Sequence, residues 1–243
     1  MKETLIKQEQ DLAEESFSTA NNFEHTSKII DFPRQVAGLT IIDIGGGAST
    51  CVAELRERGA NAISVDYRYY DRKKLKRSVD RKLADVPAIL NERVDQVRTN
   101  LRAFFTEDLE VRGQQQFVRH SRKYRDRFFY NLESGHGQYI TALAGFLPIR
   151  SDSVDFVYSA QAVSTFLLKE MGVFQNAMDE IFRILKAGGE VQIQPWISDL
   201  FHWSNKEKEN AHVFLQHLEN SSISYQIEQL PGLRGPRLKI VKN

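Results

Sequence analysis

Thr40-Ile41-Ile42-Asp43-Ile44-Gly45-Gly46-Gly47-Ala48-Ser49 is the stretch that decides how this chain folds. Leu39 to Ile44 is an apolar run of strand type, and Thr50 to Arg58 carries Val52, Ala53 and Leu55 at helical spacing. A strand that feeds a glycine turn and then a helix brings bare backbone close to a ligand, because glycine lacks a Cβ and tolerates positive φ. The helix N-terminus beyond the turn adds free N–H groups and the positive end of its dipole. Gly59 stops that helix, Ala62 to Val65 begins a second strand, and Asp66 ends it. Asp66 stands about 19 residues past Gly47, the spacing at which a carboxylate accepts both hydroxyls of a ribose.

Two cofactor classes share that geometry. A dinucleotide site calls for Gly-x-Gly-x-x-Gly, and here Thr50 stands where the third glycine belongs. A carboxylate, Asp43, lies two residues before the first glycine instead. This pattern resembles motif I of the class I S-adenosylmethionine (SAM)-dependent methyltransferases, Asp-x-Gly-x-Gly-x-Gly, with Ser49 in place of the last glycine. Leu147-Pro148-Ile149-Arg150-Ser151-Asp152-Ser153-Val154-Asp155-Phe156-Val157-Tyr158-Ser159 is similar to the family's stretch into its fourth strand. Glu180-Ile181-Phe182-Arg183-Ile184-Leu185-Lys186-Ala187-Gly188-Gly189 resembles its segment before the fifth. The resemblance covers roughly residues 39–66 and 138–243 and implies SAM as cofactor. It places Asp43, Gly45, Gly46, Gly47, Asp66, Tyr67, Leu143, Ala144 and Ser159 around it. Where many relatives carry an acid that bonds the adenine amino group, this chain has Leu143, so adenine is expected to rest on apolar contacts and backbone groups.

Outward from these motifs, the chain reads as an α/β fold: a Rossmann-like, mostly parallel sheet with an antiparallel closing strand and a helical insertion. Residues 1–38 read as short N-terminal helices that form a lid or cap, and residues 39–243 as the SAM-binding methyltransferase domain. Strands are expected at Tyr139 to Ala142, Val154 to Ser159, Val191 to Gln194, Ser224 to Glu228 and Arg237 to Val241. Helices are expected at Val173 to Leu185 and Glu207 to Leu218. The insertion, 67–135, holds about 17 of the chain's 33 Lys and Arg against about 10 Asp and Glu. Its apolar residues recur at helical spacing. Tyr69, Tyr70, Phe117, Tyr124, Phe128 and Phe129 interleave with the cations, which leaves two readings open: a helical cap, or an RNA-docking surface.

The chain as a whole carries a formal net charge of +1, so no global field points to nucleic acid or to an anionic membrane. One cysteine, Cys51, precludes an internal disulfide. Neither a signal peptide nor a membrane span is legible, so a cytoplasmic location is expected. No His/Cys cluster has metal-ligand spacing, and no metal is expected.

For the methyl acceptor, the wall is expected from Ser159, Gln161, Thr165, Trp196, His202 and Trp203, with Phe17, Phe23 and His25 on the lid. His25, His202 and Gln161 are weak catalytic candidates. Ser159-Ala160-Gln161-Ala162 departs from the Asn/Asp-Pro-Pro-Tyr/Phe pattern of enzymes that methylate base amines. The expected function is methyl transfer from SAM to a small-molecule acceptor, in a biosynthetic setting. The alternatives are an RNA or protein methyltransferase docking through the insertion, or a non-catalytic binding protein on the same scaffold.

Overall fold

The computed structural model describes residues 2–15, 22–92, 108–135, 138–165, 167–197, 203–221, 223–229 and 235–243. Two helices come first, α1 (Lys2–Glu15) and α2 (Phe23–Ile29). The glycine turn joins β1 (Thr40–Ile44) to α3 (Cys51–Glu57), and β2 (Asn61–Val65) follows. A 3-10 turn (Tyr67–Tyr70) leads into two long helices, α4 (Arg72–Glu92) and α5 (Asp108–Ser134). The chain then runs through β3 (Gln138–Ile140), β4 (Val154–Ala160), a short α6 (Ala162–Thr165) and α7 (Met171–Ile184). It closes with β5 (Leu185–Gln194), α8 (Asn205–Asn220), β6 (Ser224–Glu228) and β7 (Arg237–Val241).

Seven strands form one sheet in the order β3-β2-β1-β4-β5-β7-β6. The first five in that order are parallel, and β7 joins β5 and β6 antiparallel. Strands β1 and β4 are neighbours whose connections leave toward opposite edges. The C-terminal ends of the central strands therefore open a crevice, the ligand position of doubly wound sheets.

Apolar alternation builds a layer on each face. Ile42, Ile44, Val157, Val191 and Ile193 pack with Phe174, Met178 and Ile181 of α7 and Phe214 of α8. The opposite residues, Ile41, Phe156 and Tyr158, pack with Ile29, Ile30, Val52 and Leu55. A third cluster joins the long helices to the sheet: Leu75, Val79, Leu83, Phe128, Phe129 and Leu132 enclose Tyr69 and Ala48, with Tyr139 packed against them.

The Ala187-Gly188-Gly189 segment, which stands between the expected helix Val173 to Leu185 and the expected strand Val191 to Gln194, already lies inside β5. Helix α7 ends at Ile184 because the N–H groups of Asp152 and Ser153 take the Arg183 and Ile184 carbonyls. Gly188, at φ +75°, and Gly189 then pair with Lys242 beyond the end of β7. A pairing partner distant in sequence converts an apparent turn into a bulged strand.

Candidate functional site

The glycine turn is shaped by close packing. Gly45 has φ +73°, and a Cβ there would lie 2.1 Å from the Ala162 Cβ. A Cβ on Gly46 would stand 2.1 Å from the Ser64 hydroxyl and 2.6 Å from a carboxylate oxygen of Asp43. The turn is fastened to the end of β2 by three bonds. Gly45 N–H donates to the Val65 carbonyl at 2.7 Å, Gly47 N–H donates to Asp66 Oδ2 at 2.9 Å, and the Tyr69 hydroxyl donates to the Gly47 carbonyl at 2.9 Å.

Beside this turn lies a cleft open to solvent. Gly45 and Ile44 form one wall and Val65, Asp66, Tyr67 and Arg68 a second. Ala142, Leu143 and Ala144, after β3, form a third, and Ala162, Leu167 and Glu9 complete the lining. Of the residues expected around a cofactor, the structure brings Gly45, Asp66, Tyr67, Leu143 and Ala144 together on this surface. Asp43, Gly46, Gly47 and Ser159 lie behind it and hold it in shape. Ser159 Oγ donates to the Ile44 carbonyl at 3.0 Å and accepts the Val163 N–H at 3.1 Å, joining the end of β1 to α6.

Asp66 is buried and already engaged. Besides the Gly47 N–H, it accepts the Arg68 backbone N–H at 2.9 Å, Arg68 Nε at 3.0 Å and Arg68 Nη2 at 2.7 Å. Asp43 is enclosed beneath Gly46. Burial, reinforced by the charge of Asp66, pushes its carboxyl up from 3.8 to about 7. Burial likewise pushes the Cys51 thiol well above its ordinary value, so the one cysteine is an inert core residue.

No model of a known protein family matches the chain, and no curated protein matches it. Solved structures do. A TehB-like SAM-dependent methyltransferase from Corynebacterium glutamicum is 15% identical, with 88% of this chain and 83% of that one covered and a TM-score of 0.47. Magnesium protoporphyrin IX methyltransferase from Synechocystis, solved with bound SAM, is 10% identical over 86% of this chain and 72% of that one, at 0.43. Geranyl diphosphate C-methyltransferase from Streptomyces coelicolor, with S-adenosylhomocysteine, is 13% identical over 89% and 78%, at 0.45. The fold is a Rossmann-like, mostly parallel sheet with β7 antiparallel between β5 and β6 and a glycine turn after β1.

The other motif residues brace this sheet. Asp155 accepts the Thr40 N–H at 2.9 Å and Lys186 Nζ at 2.6 Å, tying the start of β4 to its neighbours on both sides. Glu180 accepts the Leu147 N–H, and Arg183 donates to the Leu147 and Ile149 carbonyls, so α7 clamps the Leu-Pro segment.

The acceptor-wall residues separate. Gln161 adjoins Ala162 at the cleft in a left-handed conformation, φ 90°, its N–H on the Gln194 carbonyl. Thr165 and Trp203 are half-buried, whereas Trp196 is a core residue against Phe174 and Phe214. His25 caps α2 with Asn22 and meets the Tyr124 ring edge-on, away from the cleft lining. Phe23 stacks on Phe32 under Arg58 and so is not a lid residue. His202 and Phe17 lie outside the described residues.

In the insertion, Tyr69, Phe128 and Phe129 are buried in one cluster, and their faces are not open for stacking on bases. Arg125 pairs with Asp80 and Asp126, and Arg127 with Glu57.

The lining residues not expected from the sequence are the apolar Ile44, Val65, Ala142, Ala162 and Leu167 and two charged ones, Arg68 and Glu9. Arg68 left a signal, a cation two residues past the strand-ending acid. Glu9 left none, since an acid in a polar helix is ordinarily solvated. Among the described residues, no group of three or more His, Cys, Asp or Glu is placed to hold a metal, and no helix is long and apolar enough to cross a membrane.

Proposed function

We propose that this chain is a SAM-dependent methyltransferase acting on a small-molecule acceptor. The observation that carries the reading is the pairing of Gly45 with Asp66 across one cleft, the glycine turn and the carboxylate locked together through the Gly47 N–H. A nucleoside fits this lining. Asp66 supplies an acceptor for vicinal hydroxyls, and the apolar side chains of Val65, Leu143 and Leu167 with the Tyr67 ring supply surfaces for a flat base. A diol on Asp66 would take the acceptor positions that the Arg68 guanidinium now fills. Gly45 lines the cleft as bare backbone for the aminoacyl chain to lie against, with Asp43 supporting the turn from beneath.

When bound, SAM supplies a methyl group on a sulfonium, open to in-line attack. The protein's part in such a displacement is positioning. Gln161 and Ala162, at the end of β4 beside Gly45, stand where an acceptor would approach, and Gln161 offers an amide to orient it. A small acceptor suits a surface whose insertion is packed as a cap. The location is taken as cytoplasmic.

Calorimetric titration with SAM and S-adenosylhomocysteine, beside an adenine dinucleotide control, tests the reading. Micromolar binding of the SAM pair alone is expected. Binding of the dinucleotide alone, or of none of the three by folded protein free of carried-over ligand, overturns it.

A further inference from the structure

The cleft contains a second buried carboxylate, delivered from an unexpected part of the chain. Glu9, on α1, is 3% exposed, and it reaches the segment after β3 more than a hundred residues away. Its oxygens accept the N–H groups of Ala144 at 2.5 Å and of Gly145 at 3.2 Å. The surroundings are fitted to it. A Cβ on Gly145 would lie 2.0 Å from the Asn176 amide nitrogen and 2.9 Å from Glu9 Oε2, and Asn176 Nδ2 holds the Gly145 carbonyl at 2.9 Å. Helices α1 and α7 thus converge on one glycine around one carboxylate. Among the described residues, the partners of that carboxylate are these backbone N–H groups, and no cation pairs with it. An ionised carboxylate has about four acceptor positions, so Glu9 keeps capacity for another donor. The wall beside it is apolar, formed by Ala142, Leu143 and Leu167. An acceptor at the rim of an apolar slot selects a flat ring that carries an N–H at its edge.

Resting on the cofactor reading above, we propose that Glu9 is a specificity-determining residue that accepts a hydrogen bond from the exocyclic amine of the cofactor's adenine. The N-terminal helix then does from outside the sheet what Leu143 cannot do from within it. It also follows that α1 is part of the binding site and not a detachable cover.

The experiment compares S-adenosylhomocysteine with its 6-deamino analogue, purine in place of adenine, by calorimetry on the full chain at pH 8.5, where a carboxyl raised to about 7 is ionised. A charge-assisted hydrogen bond predicts that wild type prefers the amino form by about 10- to 100-fold. Glu9→Ala should reduce that preference to about threefold or less. Glu9→Gln keeps the size and an acceptor oxygen, so it holds the helix in place, and it should give an intermediate ratio. The ratio is the diagnostic quantity, because a purely structural role changes both affinities together and leaves it fixed. An unchanged preference in both variants overturns the proposal, as does equal tightening of both ligands in Glu9→Ala, which would mark Glu9 as a plug. Wild type that binds neither ligand overturns the cofactor reading itself, a different failure from an unchanged ratio.

Discussion

At the residue scale, the site depends on three carboxylates in different surroundings. Asp66 is bonded by an arginine and a backbone N–H, whereas Asp43 and Glu9 are buried without a cation at hydrogen-bond distance among the described residues. Asp66→Ala removes the carboxylate proposed to accept the ribose hydroxyls and should weaken S-adenosylhomocysteine by at least about 30-fold, given the worth of charge-assisted hydrogen bonds. Calorimetry checks this, and unchanged affinity refutes the placement. Burial raises the carboxyl of Asp43 from 3.8 to about 7 and that of Glu9 from 4.5 to about 7. The folded protein therefore holds protons that the unfolded chain has released, and the contribution of these groups is lost as pH rises toward 7. Asp43→Asn abolishes that ionisation. Its advantage in Tm over wild type should be greater at pH 8 than at pH 5 by roughly 5 °C, at a few degrees per kcal/mol for a chain of this size. Scanning calorimetry at the two values decides it; parallel curves would mean that Asp43 ionises as a solvated acid does.

At the scale of elements, the long helices α4 and α5 are part of the core. Phe128 is fully buried against Tyr69 and Phe129, and Tyr69 in turn bonds the glycine turn through Gly47. Phe128→Ala should cost about 3–5 kcal/mol, the range for a deleted core aromatic, and lower Tm by about 10 °C. Ligand affinity should fall as well, because the cavity sits one residue from the turn's anchor. A variant with normal Tm would show that the insertion contributes nothing to the core. The interdependence has a sequence cause: Tyr69 follows β2 directly, so whatever packs on it reaches the site.

At the scale of the molecule, charge is balanced, and in α5 Arg125 pairs with Asp80 and Asp126 and Arg127 with Glu57. Phosphate binding needs unpaired, clustered cations that release counterions. Single-stranded RNA is therefore expected to bind no more tightly than about 100 μM near physiological salt, the weak end of non-specific binding. Fluorescence anisotropy across a salt series measures this. Submicromolar affinity with a steep salt slope would restore the RNA-docking reading. Ligand linkage gives a second global readout: S-adenosylhomocysteine at a hundred times its Kd should stabilise the fold by about 2.7 kcal/mol.

The sheet was legible in the residue pattern because short-range periodicity governs it. Alternating apolar strands, Gly45 to Gly47, and the Leu147-Pro148 and Glu180 to Gly189 segments each act within about fifteen residues of themselves. The closing strands Ser224–Glu228 and Arg237–Val241 were readable for the same reason. So was the position of Asp66, which depends only on the length of one βα unit. The tertiary structure alone determined what meets across long gaps. It made Ala187-Gly188-Gly189 part of a strand by pairing it with Lys242, buried Phe128 and Phe129 with Tyr69, set Asp43 beneath the turn, and brought Glu9 to Ala144. Local sequence sets backbone preference and hydrophobic face; hydrogen-bond partners between distant segments are fixed only when the faces close on one another.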